Sequence, residues 1–175
     1  MRAETVRVFV QHAPNEPGTR ERAAVQGVLD LLKSFDVEIL TGGETGSEAE
    51  FRAKFRPSTG LAWSPRNLRM VRLGMLDAAD ALVMVRTGPS EAAAMEAAYN
   101  LFAGRRAPMF FALWKGAGAP SGMLCGLEEY CEAEYVEFER AEQLAGRLAE
   151  FLERAAEQRQ ESERQMIRIM EHLVA

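Results

Sequence analysis

The alternation of short apolar segments with longer amphipathic ones constrains the fold of this chain more than any other feature. Five segments rich in β-branched or apolar residues predict strands: Val6–Val10, Asp36–Leu40, Ala81–Val85, Pro108–Leu113 and Glu134–Phe138. Segments with apolar residues at helical spacing lie between them. Because strands joined by helices pair in parallel through right-handed crossovers, the pattern predicts an α/β protein. We expect a three-layer sandwich with a five-stranded parallel sheet, flavodoxin-like or Rossmann-like, and a long C-terminal helix.

Capping residues indicate where the helices begin. Thr19 is expected to cap one helix, Ser64 followed by Pro65 a second, and Ser90 a third. Residues 41–60, with glycines near both ends and charges between them, predict a loop around a short helix. Ligands of open α/β sheets bind outside the carboxyl ends of the strands. We therefore expect the site in the loops that follow the strands.

The last helix is predicted to begin near Ala141 and to carry two apolar stripes. The first stripe runs from Leu144 to Ala155 and the second from Met166 to Leu173, with the polar stretch EQRQESERQ between them. Roughly 33 helical residues would span about 50 Å, which is longer than a small domain. We therefore predict one α/β domain over residues 1–155 and an extension over residues 156–175 that forms a homo-oligomer. A frayed tail is the alternative.

Charge and composition argue against several classes of partner. A net charge of −5 and a pI near 5.2 argue against nucleic acid as a binding partner. No apolar run reaches the roughly 20 residues that cross a bilayer, and the N-terminus lacks a signal-peptide core, so we predict no membrane partner and a cytoplasmic location. Cys125 and Cys131 match no zinc spacing and only two histidines are present, so neither a metal nor a cofactor is predicted. Five arginines still leave room for an anionic ligand: Arg52, Arg56, Arg66, Arg69 and Arg72.

The segment SEAAAMEAAYN, residues 90–100, holds the main candidate for chemistry. Ser90 and Glu91 suit the start of a helix, where a cap and a negative charge are stabilising. Glu96 lies too far along the helix for that role, and helical spacing places Tyr99 on the same side. Glu96 is either a solvated surface acid or a carboxylate that small alanines leave open to a ligand. In the second case it can act as a nucleophile that Tyr99 orients.

The segments ADALVMV and MEAAYN resemble the nucleoside 2-deoxyribosyltransferase-like superfamily. In that family a strand with a polar turn leads into a helix reading E-x-G-Y-A, which EAAYN fits with Ala98 for glycine and Asn100 for alanine. APMFFAL matches the next family strand, and Ala62–Trp63 match an AW pair of nucleotide-hydrolysing members. The similarity covers about Val6 to Leu152, with specific letters from Trp63 to Leu113. It implies that Glu96 attacks the anomeric carbon of a sugar.

The sequence departs from this family at three places. Arg72 stands where the family has an aspartate that handles the base or the proton. The first loop reads QHAPNEP in place of GGP, and Ala92–Ala93 replace GT. Glu91, Asp77 or His12 are the candidates for the missing acid. Arg72 is expected instead to meet a phosphate or a carboxylate, which its planar guanidinium binds in a bidentate manner.

The sequence thus predicts cleavage or transfer of the N-glycosidic bond of a nucleoside or nucleotide. Glu96 and Tyr99 are the predicted catalytic residues. Six residues are predicted to contact the substrate: His12, Trp63, Arg72, Gly88, Ser90 and Glu91. Two alternatives stay open: a TIR-like NAD hydrolase of the same layout, and a member that binds a nucleotide or a partner protein without catalysis.

Overall fold

A computed structural model describes residues 5–16, 18–102 and 106–174 of the 175-residue chain. The strands are β1 (Val6–His12), β2 (Val37–Thr41), β3 (Ala81–Arg86), β4 (Met109–Trp114) and β5 (Ala133–Phe138). The α-helices are α1 (Arg20–Lys33), α2 (Glu48–Thr59), α3 (Pro65–Ala78), α4 (Glu91–Phe102) and α5 (Ala145–Val174). Short 3₁₀ turns follow β4 and lead into β5 and α5.

The strands form one parallel sheet in the order β2-β1-β3-β4-β5. All five predicted strands are present, with ends that differ by one or two residues, so the predicted α/β sandwich is confirmed. β3 lies in the middle of the sheet, where its run of five buried residues is covered on both faces. Its register pairs Val10 with Val83 and Val83 with Phe110.

Helices cover both faces of the sheet and give it two apolar cores. On one face α1 and α5 pack against Val8, Val10 and Val83. On the other face α3 and α4 pack against Phe9 and Leu82. Successive residues of a strand point to opposite faces, which is why neighbours in β1 belong to different cores.

The predicted caps are confirmed. The hydroxyl oxygens of Thr19, Ser64 and Ser90 accept hydrogen bonds from backbone N–H groups three residues later, at 3.1, 3.1 and 3.2 Å. Residues 41–60, predicted as a loop around a short helix, contain the 12-residue helix α2, which is followed by Gly60 with φ +73°. Each of the three hydroxyls supplies an acceptor to an N–H group that the helix cannot satisfy itself.

The last helix is buried in its first half and exposed in its second. Leu148, Phe151 and Leu152 pack on the sheet, whereas large apolar side chains later in the helix are 58–66% exposed: Met166, Ile167, Ile169 and Met170. The side chain of Leu173, the last member of the predicted stripe, lies outside the described residues. Among the helices described, none is both long and apolar enough to cross a membrane.

A buried carboxylate ties this helix to the amino edge of the sheet. The side chain of Asp80 is 1% exposed and accepts hydrogen bonds from the backbone N–H and the guanidinium of Arg7, both at 2.9 Å. Nη1 of Arg159 donates to the same carboxylate at 3.0 Å and to the carbonyl of Thr5 at 2.9 Å. α5 is therefore anchored by charge just where its apolar contact with the sheet ends.

Replacing Asp80 with asparagine preserves the size of the side chain but removes the charge that two guanidiniums share. We expect the free energy of unfolding at pH 7 to fall by about 2–4 kcal/mol, because two partly buried cations lose their anion. Urea unfolding followed by circular dichroism measures this change. The matched control is Asp36→Asn at an exposed aspartate, which should alter stability by less than about 0.5 kcal/mol.

The same carboxylate should couple stability to pH. Burial opposes ionisation of Asp80, but hydrogen bonds and charge from Arg7 outweigh it and hold the pKa below its ordinary value of 3.8. The contribution of Asp80 is therefore complete above that ordinary value and is lost as the pH falls below it. The stability difference between wild type and Asp80→Asn should shrink on acidification below about pH 4. A difference that stays constant there would contradict this role.

Candidate functional site

Glu96 lies inside the protein. It sits on α4, faces α3 and is 5% exposed, so the interpretation as a solvated surface acid is wrong. Ala97, the next residue on α4, is 2% exposed and packs in the apolar core of this face of the sheet, whereas Ala92, Ala94 and Ala98 are exposed. A buried carboxylate requires a partner.

That partner is Arg72 of α3. Its Nε donates to Oε1 of Glu96 at 2.5 Å and its Nη2 to Oε2 at 3.1 Å, which is a bidentate pair. Nη1 lies 3.5 Å from Oγ1 of Thr41 at the end of β2, and the guanidinium carbon lies 4.9 Å from the centre of the Phe9 ring. Arg72 therefore meets a carboxylate, as its chemistry indicated, and fixes the position of both oxygens of Glu96.

Tyr99 does not orient Glu96 in this structure. Its hydroxyl donates to Oδ2 of Asp77 at 3.0 Å, and this hydrogen bond raises the pKa of the phenol. Residues three apart on a helix differ by about 60° in direction, which is enough for the two side chains to meet different parts of α3. The predicted bond from Tyr99 to Glu96 is thus replaced by the bond from Arg72.

Asn100, next on α4, has a structural role. Its side-chain amide donates to the carbonyl of Ala107 at 2.8 Å and accepts from the N–H of the same residue at 3.0 Å. These two bonds fix the end of α4 to the start of β4. They hold in place the helix that carries Glu96.

A cavity of about 440 Å³ opens at the carboxyl edge of the sheet, beside the first turns of α4. Its walls are mainly apolar and include Met84, Phe111 and Leu124. Three of the predicted contact residues line it: Gly88, Ser90 and Glu91. The other five predicted site residues lie outside the lining: His12, Trp63, Arg72, Glu96 and Tyr99.

The cavity also contains polar residues that the sequence analysis did not single out. Gln11, the last but one residue of β1, lies on the face of the sheet that carries α4, and its amide donates to Oγ of Ser90 at 3.3 Å. Ser121, in the loop after β4, also lines the cavity. Alternation along β1 would have pointed to Gln11, since it shares a face with Phe9. Ser121 lies in a loop that follows a strand, where the site was expected, but no signal distinguishes it from the other residues of that loop.

His12 and Trp63 lie towards α2. The ring nitrogens of His12 are each 3.1 Å from a carbonyl oxygen, of Ala13 and of Gly42. Trp63 meets Phe55 edge-on at 5.2 Å, with the guanidinium of Arg52 5.3 Å from its ring centre. The contacts of Trp63 in the structure are those of an anchor before α3, and stacking on a base stays a prediction.

Metal-binding groups are sparse in this region. Among the described residues, no cluster of histidine, cysteine, aspartate and glutamate side chains could hold a metal ion. Cys125 and Cys131 are free thiols. The chemistry available at the site is that of the carboxylate, the guanidinium, hydroxyls and amides.

His12 should remain neutral at pH 7. Burial is the main reason that its pKa lies below the ordinary 6.5, the carbonyls of Ala13 and Gly42 partly oppose this effect, and the charge of Arg72 adds to it. NMR titration of the imidazole, in a His172→Gln background that leaves one histidine signal, should give a midpoint below 6.5. Because the folded pKa is lowered, protonation of His12 destabilises the protein as the pH falls through that range. A midpoint above 6.5 would contradict the burial seen here.

Comparison with known proteins places the fold. No protein-family model matches the sequence, and no curated protein sequence is significantly similar to it. Among solved structures, the chain is similar to the CMP N-glycosidase BcmB of Clostridium botulinum, with a TM-score of 0.55 over 82% of this chain and 98% of that chain, at 12% identity. The chain therefore shares the fold of that enzyme.

Proposed function

We propose that this protein cleaves or transfers the N-glycosidic bond of a nucleoside or nucleotide, with Glu96 as the nucleophile. The observation that carries the proposal is the buried, fixed carboxylate of Glu96 on the helix that follows the central strand. The fold is shared with a CMP N-glycosidase, which supports the same class of reaction. The sequence EAAYN around Glu96 supports its assignment.

The chemistry suits a carboxylate held in place. As the bond between the anomeric carbon and the base breaks, the base leaves with the electron pair and takes up a proton from solvent water, and the sugar becomes cation-like. One oxygen of Glu96 then stabilises the sugar or forms a bond to the anomeric carbon. Water or an acceptor base displaces Glu96 in the second step. A carboxylate that is already fixed needs little reorganisation when the positive charge develops.

The cavity is the proposed place for the base. Its volume of about 440 Å³ lies in the range of small-ligand sites. Apolar walls suit the faces of a base, and Gln11 and Ser90 offer hydrogen bonds at the rim. Ala93 and Ala94 of α4 line the cavity just before Glu96 in the sequence. We propose that Gly88, Ser90 and Glu91 contact the substrate here, whereas contacts from His12 and Trp63 stay predictions.

Free-base release tests the proposal. The purified protein is incubated with ribonucleosides, deoxyribonucleosides, their 5′-monophosphates and NAD, and the products are separated by chromatography. Glu96→Gln should lower the rate of release by at least about a hundredfold, because the charge that stabilises the cation-like sugar is lost. Glu153→Gln, at an exposed glutamate on α5, is the control and should leave the rate unchanged.

Two outcomes would contradict the assignment. If Glu96→Gln released the free base at the wild-type rate, Glu96 would not be the nucleophile. Release of nicotinamide from NAD alone would instead support a TIR-like hydrolase.

The second candidate function is nucleotide binding without catalysis. The observation in its favour is that Arg72, in the position where the family has an acid, occupies both oxygens of Glu96. This function predicts that a nucleotide raises the melting temperature by mass action while no base is released from any compound.

We also propose that two copies of the chain associate through the exposed end of α5. Exposed apolar side chains of this size on one helix segment are typical of a contact surface. The segment also carries charges of both signs, so that two antiparallel copies can place Arg164 of one opposite Glu171 of the other. Opposite charges and exposed apolar side chains thus both support the association of two copies through this end of α5.

Light scattering coupled to size-exclusion chromatography tests this association. Ile169→Glu should convert a dimer into a monomer, since a charge would be buried against an apolar surface. Gln160→Glu adds the same charge outside the apolar segment and should leave the dimer intact. A wild-type protein that is monomeric at all micromolar concentrations would contradict the proposal.

A further inference from the structure

The pairing of Arg72 with Glu96 conflicts with the charge that the proposed reaction develops. A nucleophilic carboxylate must face a cation-like sugar, yet both oxygens of Glu96 already face a guanidinium. A second positive charge brought to the same carboxylate would be repelled by Arg72. Chemistry at Glu96 therefore requires that Arg72 give up at least part of this contact.

Arg72 is better placed than Glu96 to change partners. Its side chain is 24% exposed, whereas that of Glu96 is 7% exposed. The hydrogen bonds to Glu96 and Thr41 use three of the five guanidinium N–H groups. The Phe9 ring supports the flat face of the guanidinium without using any of them. Within the part of the chain that the structure describes, two N–H donors thus remain for an acceptor that arrives from the solvent side.

An anion on the ligand would make the exchange favourable. A phosphate group binds a guanidinium through two parallel hydrogen bonds, as a carboxylate does. If Arg72 moved to a phosphate, it would keep an anionic partner, and Glu96 would be left to the positive charge of the sugar. No buried charge would then stay unpaired, which is the condition for breaking a buried ion pair at low cost.

We infer that Arg72 exchanges Glu96 for the phosphate of the ligand and so selects nucleotides over nucleosides. The inference rests on the proposed function, because it assigns the ligand class of the same site. A nucleoside lacks the anion, so it leaves Arg72 on Glu96 and the carboxylate blocked. Arg72 is in this view a specificity-determining residue, and the ion pair is the resting state of the site.

Equilibrium binding tests the inference without relying on turnover. Isothermal titration calorimetry at constant ionic strength compares the four common nucleoside 5′-monophosphates, the matching nucleosides and inorganic phosphate. A carbocyclic analogue, whose glycosidic bond is stable, replaces any compound that the wild type cleaves. The variants are Arg72→Gln and Glu96→Gln, with Arg147→Gln, at an exposed arginine of α5, as the control.

The two variants should shift affinity in opposite directions. The wild type should bind a nucleotide at least about tenfold more tightly than its nucleoside, as expected for one charge-assisted bidentate contact. Arg72→Gln should reduce this ratio to about twofold or less, because the bidentate contact is lost. Glu96→Gln should raise nucleotide and phosphate affinity several-fold, about threefold or more, because no ion pair must be broken first. Arg147→Gln should behave as the wild type does.

Several results would overturn the inference. They are a nucleotide preference that survives in Arg72→Gln, a nucleotide affinity that Glu96→Gln leaves unchanged, and no binding of any nucleotide. If Arg72→Gln does not fold, the double variant Arg72→Gln/Glu96→Gln removes both charges, and it should fold and show no nucleotide preference. Inorganic phosphate that tightens nucleoside binding in the wild type, but not in Arg72→Gln, would show that free phosphate can serve as the anion.

Different results would contradict the catalytic proposal and the inference about Arg72. If affinities shift as described but no base is ever released, the exchange at Arg72 holds and the catalytic proposal is wrong. If Glu96-dependent release occurs with no effect of Arg72 on nucleotide preference, catalysis holds and the inference about Arg72 is wrong.

Discussion

A charge buried between two helices must be matched by an opposite charge, and this constraint governs the centre of the molecule. Ala97 and Leu101 of α4 pack in the apolar core that α3 also joins, and Glu96 is enclosed beside them. Arg72 of α3 then supplies the only form of partner that covers both carboxylate oxygens at once, a planar guanidinium. The packing of two helices and the candidate chemistry are thus linked through one ion pair.

The sheet brings this pair and the cavity to the same face. Two residues of β1 that point to the same face show this. Phe9 lies beneath Arg72, and Gln11, two residues later, lines the cavity. α4 spans the two features, with Ser90 and Ala93 at the cavity and Glu96 at the ion pair. A ligand in the cavity would therefore lie along α4, the helix that carries Glu96. If Arg72 moved away from Glu96, that ligand would face an unpaired carboxylate.

A second buried charge serves stability at the opposite edge. Asp80 lies just before the central strand β3. Its carboxylate accepts hydrogen bonds from both Arg7 of β1 and Arg159 of α5. The two carboxylates have the same physical need for cations, but they meet it differently. Asp80 is paired to two arginines at the amino edge, where ligands of such sheets do not bind, while Glu96 has one partly exposed arginine at the ligand side.

The elements and their order could be predicted from the chain, since the periods of 2 and 3.6 residues and the caps at Thr19, Ser64 and Ser90 are local signals. Two site candidates could also be named: Glu96 among alanines, and Arg72 as a cation expected to bind an anion. Which side chains meet follows from the packing of the elements against one another. In the folded protein Arg72 pairs with Glu96, and the hydroxyl of Tyr99 donates to Asp77. Gln11 and Ser121 line the same cavity. Helical spacing fixes which residues share a face to within about 60°, but a hydrogen bond needs its partner within a few tenths of an ångström. That precision depends on how α3 and α4 pack across the sheet, and no local pattern in the chain encodes it.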